Sequence, residues 1–129
     1  MTEQRVQRRL AAIMSADVVG YSRLMSADET GTLNALKELR RNVISPVLDE
    51  YRGRLVKLMG DGALIEFASA VDAVECAVCI QRRVAERNLA MPDSASIAFR
   101  IGVNVGDVII DGEDIYGDGV NVAARLEKL

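Results

Sequence analysis

Apolar runs separated by glycines and polar turns divide the chain into alternating strand and helix patterns. Leu10-Ala-Ala-Ile-Met-Ser-Ala-Asp17-Val-Val19 is short, apolar and closed by Gly20, which predicts a buried strand over residues 10–19. A helical pattern follows, with Ser26 or Asp28 as its cap and Leu33, Leu36, Leu39, Val43 and Ile44 as its apolar stripe. Pro46 kinks this helix or opens a second short one, and Gly53 ends it. Residues 54–59 and 63–67 read as a hairpin through Gly60-Asp61-Gly62. Residues 70–90 read as a second amphipathic helix, with Val71, Val74, Ala77, Val78 and Val84 among its apolar positions, and Met91-Pro-Asp-Ser94 as the loop after it. Ile97, Phe99, Ile101, Val103 and Val105 alternate along a strand over residues 97–105, and Val108-Ile-Ile110 forms a separate short apolar stretch. A polar turn, Asp111-Gly-Glu-Asp114, precedes a final helix beginning near Val120, with Asp118 as a plausible cap.

The order strand, helix, strand, strand, helix, strand predicts an α+β fold, the ferredoxin-like βαββαβ sandwich. In that topology the third strand lies antiparallel beside the first. The C-terminal end of strand one then adjoins the hairpin turn, so Asp17 and Asp61 should be neighbours.

The 129 residues suit one domain with one core. A formal charge of −3 removes any general attraction for nucleic acid or anionic membrane, so neither is expected as a partner. No apolar stretch is long enough for a spanning helix, and the basic residues of 1–9 have no signal-peptide core behind them. Residues 1–9 read as a lead-in or linker, and a cytoplasmic protein is expected. Cys76 and Cys79 have Cys-x-x-Cys spacing but lie in a helical pattern, without a second Cys pair or any histidine to complete a zinc site. They read as small core residues.

The chemistry concentrates at the strand ends. Asp-Gly is a common hairpin signal, so Asp61 has a structural reading of its own. Asp17 is harder to account for, because a carboxylate inside Ala-Asp-Val-Val is costly to desolvate without a partner. Two adjacent carboxylates repel, and a divalent cation resolves the conflict. With oxygen ligands only, Mg²⁺ or Mn²⁺ fits better than zinc. Gly20 permits close backbone approach, the N–H groups of the following helix can meet phosphate, and Gly20, Tyr21 and Ser22 are the candidate substrate-binding residues. Lys57 stands near a strand end, either solvated or part of a site. Asn121 and Arg125 share one helix face at i, i+4; they are either a solvated face or a pair suited to phosphate and developing negative charge.

Four segments, Ala16-Asp-Val-Val-Gly-Tyr-Ser22, Lys57-Leu-Met-Gly-Asp-Gly62, Phe99-Arg-Ile-Gly-Val-Asn-Val-Gly106 and Asp114-Ile-Tyr-Gly-Asp-Gly-Val-Asn-Val-Ala-Ala-Arg125, occur in one order over residues 9 to 129. Together they resemble the successive motifs of class III adenylate/guanylate cyclase catalytic domains, in the short-arm bacterial version. The resemblance implies two metal ions held by Asp17, Asp61 and the backbone carbonyl of Val18. It implies purine recognition by Lys57 and Asp114, in the combination that selects adenine. Asn121 and Arg125 would stabilise the transition state. It further implies a head-to-tail homodimer with two shared sites, the metal aspartates from one chain and the other four residues from its partner. The expected reaction turns ATP into 3′,5′-cyclic AMP and pyrophosphate. Family domains continue with further strands and a phosphate-binding lysine that nothing here matches, so the domain over 10–129 is expected to be C-terminally incomplete. The competing reading is a nucleotide-binding or dimerisation module of the same fold without turnover. A ferredoxin-like RNA binder fits poorly, since the strands carry neither stacking aromatics nor a basic face.

Overall fold

The computed structural model describes residues 7–92 and 95–128, apart from the side chain of Met59. Residues 1–6 of the expected lead-in, and Asp93 and Ser94 of the expected loop, lie outside the described residues.

The first strand, β1 (Gln7–Val18), starts three residues before the expected boundary, so Gln7, Arg8 and Arg9 already belong to the sheet. It is central in a five-stranded antiparallel sheet of order β2-β3-β1-β4-β5, with β2 (Arg54–Met59), β3 (Gly62–Phe67), β4 (Phe99–Asp111) and β5 (Asp114–Tyr116). Strand β3 lies antiparallel beside β1, with Ala16 opposite Ala63, as the expected topology requires. Both faces of β1 are covered, which explains its unbroken apolar run. Ala12, Met14 and Val18 face one core, with Ile65 and Phe67 of β3. Ala11 and Ile13 face another, with Leu64 of β3 and Val108 of β4. Each Val, Leu, Ile, Met or Phe side chain among these, once fully buried, contributes about 1.5–3 kcal/mol.

The larger core lies under helices α1 (Tyr21–Ala27), α2 (Glu29–Leu39), α3 (Ser45–Glu50) and α4 (Ala70–Leu89). Helix α1 was hidden in the sequence: the expected helix start near Ser26 falls inside it. Asp28 is the cap of α2, its carboxylate accepting from the Gly31 N–H at 3.0 Å. Residues Arg40–Ile44 widen into a π-turn ahead of Pro46, where a regular helix would press the proline ring against the carbonyl four residues back. The left-handed residue after α3 is Arg52 (φ 61°), not Gly53. Gly53 is needed for packing, since a Cβ there would lie 2.8 Å from the Phe67 ring.

Helix α4 is capped by Ser69, which accepts from the Asp72 N–H. Its buried face differs from the expected one. Ala73, Cys76, Cys79, Ile80 and Val84 are buried, whereas Val71, Val74 and Val78 are more than half exposed. Small residues let the helix sit close to the sheet, and the valines are left outside. Both cysteines are free and buried, as expected, and burial pushes the Cys76 thiol up to about 12.

The expected break after Val105 is absent, and β4 is one long strand that carries Val108 into the smaller core. Val108 is therefore a fully buried core residue. Helix α5 (Asp118–Leu126) lies against this second face, and Asp118 is its first residue rather than its cap, which is Gly117. The approach is close: a Cβ on Gly102 of β4 would come within 2.4 Å of the Ala123 carbonyl oxygen.

Candidate active site

The sheet delivers the candidate residues to two corners and one helix. At the first corner, β1 ends beside the Gly60-Asp61 turn, with Gly60 at φ 59°. Asp61 accepts a hydrogen bond from the backbone N–H of Val18 at 3.1 Å, so its carboxylate stands next to the residue that follows Asp17. Asp17 itself accepts from Arg100 Nε at 3.3 Å, its cross-strand partner on β4. The strand ends bring the two aspartates together as expected, each with a different partner. Gly20 follows at φ 65°, and Tyr21 and Ser22 begin α1 directly behind it.

At the second corner, Lys57 Nζ lies 3.0 Å from Asp114 Oδ1 and 3.1 Å from Oδ2. This contact joins the two edge strands of the sheet. Lys57 is in register with Leu64 and thus with Ser15 near the end of β1, while Asp114 pairs with Asp111, beyond the other end of β1. Only a strongly coiled sheet brings such diagonal corners together, the same linkage of tilt and stagger that closes barrels. The Lys57 ammonium also lies over the Tyr116 ring, 4.9 Å from its centroid. Hydrogen bonds from Tyr116 and then from Lys57 hold the Asp114 carboxyl below the usual carboxylate range, against the opposing effect of burial.

Asn121 and Arg125 lie one helical turn apart on α5, both exposed. Ala123 between them is fully buried on the sheet, so the helix turns its polar pair away from the core. Asp118 in the first turn complements the positive end of the helix dipole.

Three residues at these corners escaped the sequence reading. Arg100 was legible only as part of a strand pattern, yet it is the cation facing Asp17. Tyr116 sat in a segment without an expected strand, and β5 places it under Lys57. Glu127 follows Arg125 by two positions and is buried at 5% exposure. Burial first, then a hydrogen bond and the negative charge of Asp17, push its carboxyl upward. A helix extended by two residues would have shown Glu127 on the Ala123 face.

The acidic donors at the first corner are carboxylates, without imidazole or thiolate beside them, which suits a hard cation. Among the described residues no group of three or more His, Cys, Asp or Glu is assembled to hold a metal. Two carboxylates fit Mg²⁺ or Mn²⁺, which commonly takes its remaining ligands from phosphate and water. Elsewhere, an apolar cavity of about 200 Å³ beneath α2 touches the Gly60-Asp61-Gly62 turn, but walls such as Leu36, Ile44 and Leu58 do not suit a triphosphate.

Comparison with known proteins places this chain in a family. The adenylate and guanylate cyclase catalytic domain family matches residues 4–129, and the chain belongs to it. A Rhizobium meliloti (strain 1021) protein, named as a candidate adenylate cyclase, is 48% identical over 129 residues, covering 100% of this chain and 22% of the relative. An adenylate cyclase of Streptomyces coelicolor is 33% identical over 127 residues, 98% of this chain and 32% of the relative. The chain thus spans about a fifth to a third of the length of these relatives. Among solved structures, the adenylate/guanylate cyclase/hydrolase of Silicibacter pomeroyi superposes with a TM-score of 0.89 at 46% identity, over 96% of this chain and 72% of that one. The guanylyl cyclase Cya2, at 24% identity and a TM-score of 0.80 over 95% of this chain and 71% of that one, shares the fold. Fold alone therefore does not choose the base. Among the described residues no helix is long and apolar enough to cross a membrane.

Proposed function

We propose that this domain converts ATP to 3′,5′-cyclic AMP and pyrophosphate, as a head-to-tail homodimer with two shared sites. The observation that carries this reading is the Lys57–Asp114 pair, assembled at 3.0 Å across the edges of the sheet in a chain of the cyclase family. Asp114 accepts from the adenine amino group and Lys57 donates to a ring nitrogen; guanine would turn a carbonyl toward Asp114, an unpaired arrangement that a hydrogen-bonding site rejects.

The ribose 3′-oxygen attacks the α-phosphorus in line, forming the new P–O bond. The bond to the bridging oxygen breaks, pyrophosphate leaves with that electron pair, and the hydroxyl proton passes to solvent. Asp17, Asp61 and the Val18 carbonyl would hold two Mg²⁺ or Mn²⁺ ions, which when bound lower the hydroxyl pKa and neutralise the leaving group. The backbone at Gly20, Tyr21 and Ser22 borders the phosphates. Arg125 offers a fixed guanidinium to the charge growing on the transferring phosphoryl group, and Asn121 orients the ribose side of the same site. Exposure of Asn121 and Arg125 on α5 supports their serving a nucleotide whose metals are held by the partner chain. No step needs a protein nucleophile.

The test is an assay of cyclic AMP and pyrophosphate by the purified full-length protein, with ATP or GTP and Mn²⁺. Cyclic AMP formed in preference to cyclic GMP, and abolished by EDTA, is the expected result. Full activity in EDTA would overturn the metal assignment. Equal use of GTP would overturn the roles of Lys57 and Asp114. ATP binding without turnover would leave the fold as a nucleotide-binding module.

A further inference from the structure

Lys57 faces Asp114 because of a feature elsewhere in its strand. Glu66 and Leu64 of β3 share the face of the smaller core, and Arg54 is in register with Glu66 while Lys57 is in register with Leu64. Arg54 and Lys57 are three positions apart, which in a regular strand puts them on opposite faces. A bulge between Leu55 and Lys57 inserts one extra residue, Val56, and brings both cations to the same side.

Glu66 is buried at 6% exposure on this face and is met by two arginines. Arg9 Nε donates to Oε2 at 3.0 Å from β1, and Arg54 Nη2 donates to Oε1 at 2.9 Å from β2. The remaining nitrogen of Arg54, Nη1, donates to the backbone carbonyl of Glu113 at 2.8 Å, on the far edge of the coiled sheet. Glu113 immediately precedes Asp114. One guanidinium therefore ties the start of β2 to the turn before β5, and the ion pair that follows along both strands is Lys57–Asp114.

We propose that Arg54, held by Glu66, is a positioning residue for the purine-reading pair: it clasps the two sheet edges so that Lys57 and Asp114 meet the base at fixed separation. The inference rests on the cyclase reading for its substrate, while the clasp itself is a property of the chain. The planar fork of arginine matters, because it reaches a carboxylate and a carbonyl at once from one rigid group. Lysine at this position keeps the charge for Glu66 and loses the simultaneous bond to Glu113. Arg54 is about two-fifths exposed and Glu66 is not, so the carboxylate orients the arginine rather than the reverse.

The experiment compares Arg54→Met and Arg54→Lys with the wild-type full-length protein, reading KM, kcat, the ATP-to-GTP preference and Tm. Val84→Ala on α4, remote from both corners, controls for lost stability. The expected result is a rise of about tenfold in KM for ATP and a fall of about fivefold or more in nucleotide preference for Arg54→Met, the scale of one or two lost hydrogen bonds, with kcat changed less. Arg54→Lys should recover much of the Tm but not the preference. Val84→Ala should lower Tm and leave the preference intact. A second reading does not depend on turnover: the ¹³C titration of the Asp114 carboxyl should move up toward the ordinary range in Arg54→Met as its contact with Lys57 loosens. If Arg54→Lys restores preference together with Tm, or preference falls equally in Val84→Ala, the arginine is only structural and the proposal is overturned. If the wild type forms no cyclic nucleotide, the cyclase reading fails, and an unmoved Asp114 titration alone overturns the clasp.

Discussion

The two corners of the sheet differ in how complete they are within one chain. At the Lys57–Asp114 corner both charges are satisfied, by each other and by Tyr116, and the arrangement stands without a ligand. At the Asp17–Asp61 corner the carboxylates do not share a partner: one takes the Val18 N–H and the other takes Arg100. A base-reading site gains from being preformed, because rigid donors reject a wrong pattern of hydrogen bonds at little ordering cost. If the Asp17–Asp61 corner takes a cation, as proposed, it cannot be preformed in the same way, since without the cation the carboxylates repel. Protein donors that occupy them in the meantime lower that cost and can be exchanged.

The largest effect should come from breaking the incomplete corner. Asp17→Ala or Asp61→Ala should lower cyclic AMP formation by at least ~10²-fold, the scale of losing one group that stabilises the transition state. Asp61→Asn sharpens the comparison, because an amide oxygen still accepts from the Val18 N–H while the charge is gone. A similar loss in Asp61→Asn assigns the effect to cation binding. Near-normal activity in that variant would show that Asp61 serves only the strand end and the turn.

The second test asks whether the corners of one chain serve different nucleotides. Asp17→Ala and Arg125→Ala should each be inactive alone. Mixed after subunit exchange, half of the dimers are heterodimers, each with one intact and one doubly broken site. Activity should return to roughly a quarter of wild type, the proportion that two-fold symmetry dictates. A mixture that exchanges subunits and stays inactive would exclude the shared-site arrangement.

Much of this was readable from the pattern of residues, and the failures have physical causes. The topology followed from element order, and the neighbourhood of Asp17 and Asp61 followed from the topology. Periodicity failed where small residues did the packing: on α4 the valines looked like the buried stripe, yet Ala73 and Cys76 let the helix approach the sheet and left Val71, Val74 and Val78 outside. It failed again at β5, three residues long and too short to carry a pattern. The bulge at Val56 was invisible because one inserted residue changes parity without changing composition. Coiling of the sheet was likewise out of reach, so the contact between its edges had to come from the family resemblance, and the arginine that secures it from the structure alone.

The smallest effect concerns stability at the clasp and the acid side of pH. Burial by itself would push the Glu66 carboxyl up, but hydrogen bonds from Arg9 and Arg54 and their positive charges outweigh it, and the net shift is downward. The folded chain therefore binds this proton less readily than the unfolded chain, whose glutamates titrate near ~4.3. The resulting stabilisation is fully present above that value and is lost as pH falls through the lower, folded one. Glu66→Gln removes the titration and leaves two arginines without their anion. Because both arginines are about half exposed, water relieves part of that cost, and a loss of about 1–3 kcal/mol at neutral pH is the expected scale. Thermal melts from pH 7 to pH 3 should show wild type starting higher and falling more steeply below ~4.5 than Glu66→Gln, so that the two curves converge in acid. Parallel curves over that range would mean that Glu66 carries no net ion-pair stabilisation, and would place the whole difference between the two corners in geometry rather than in charge.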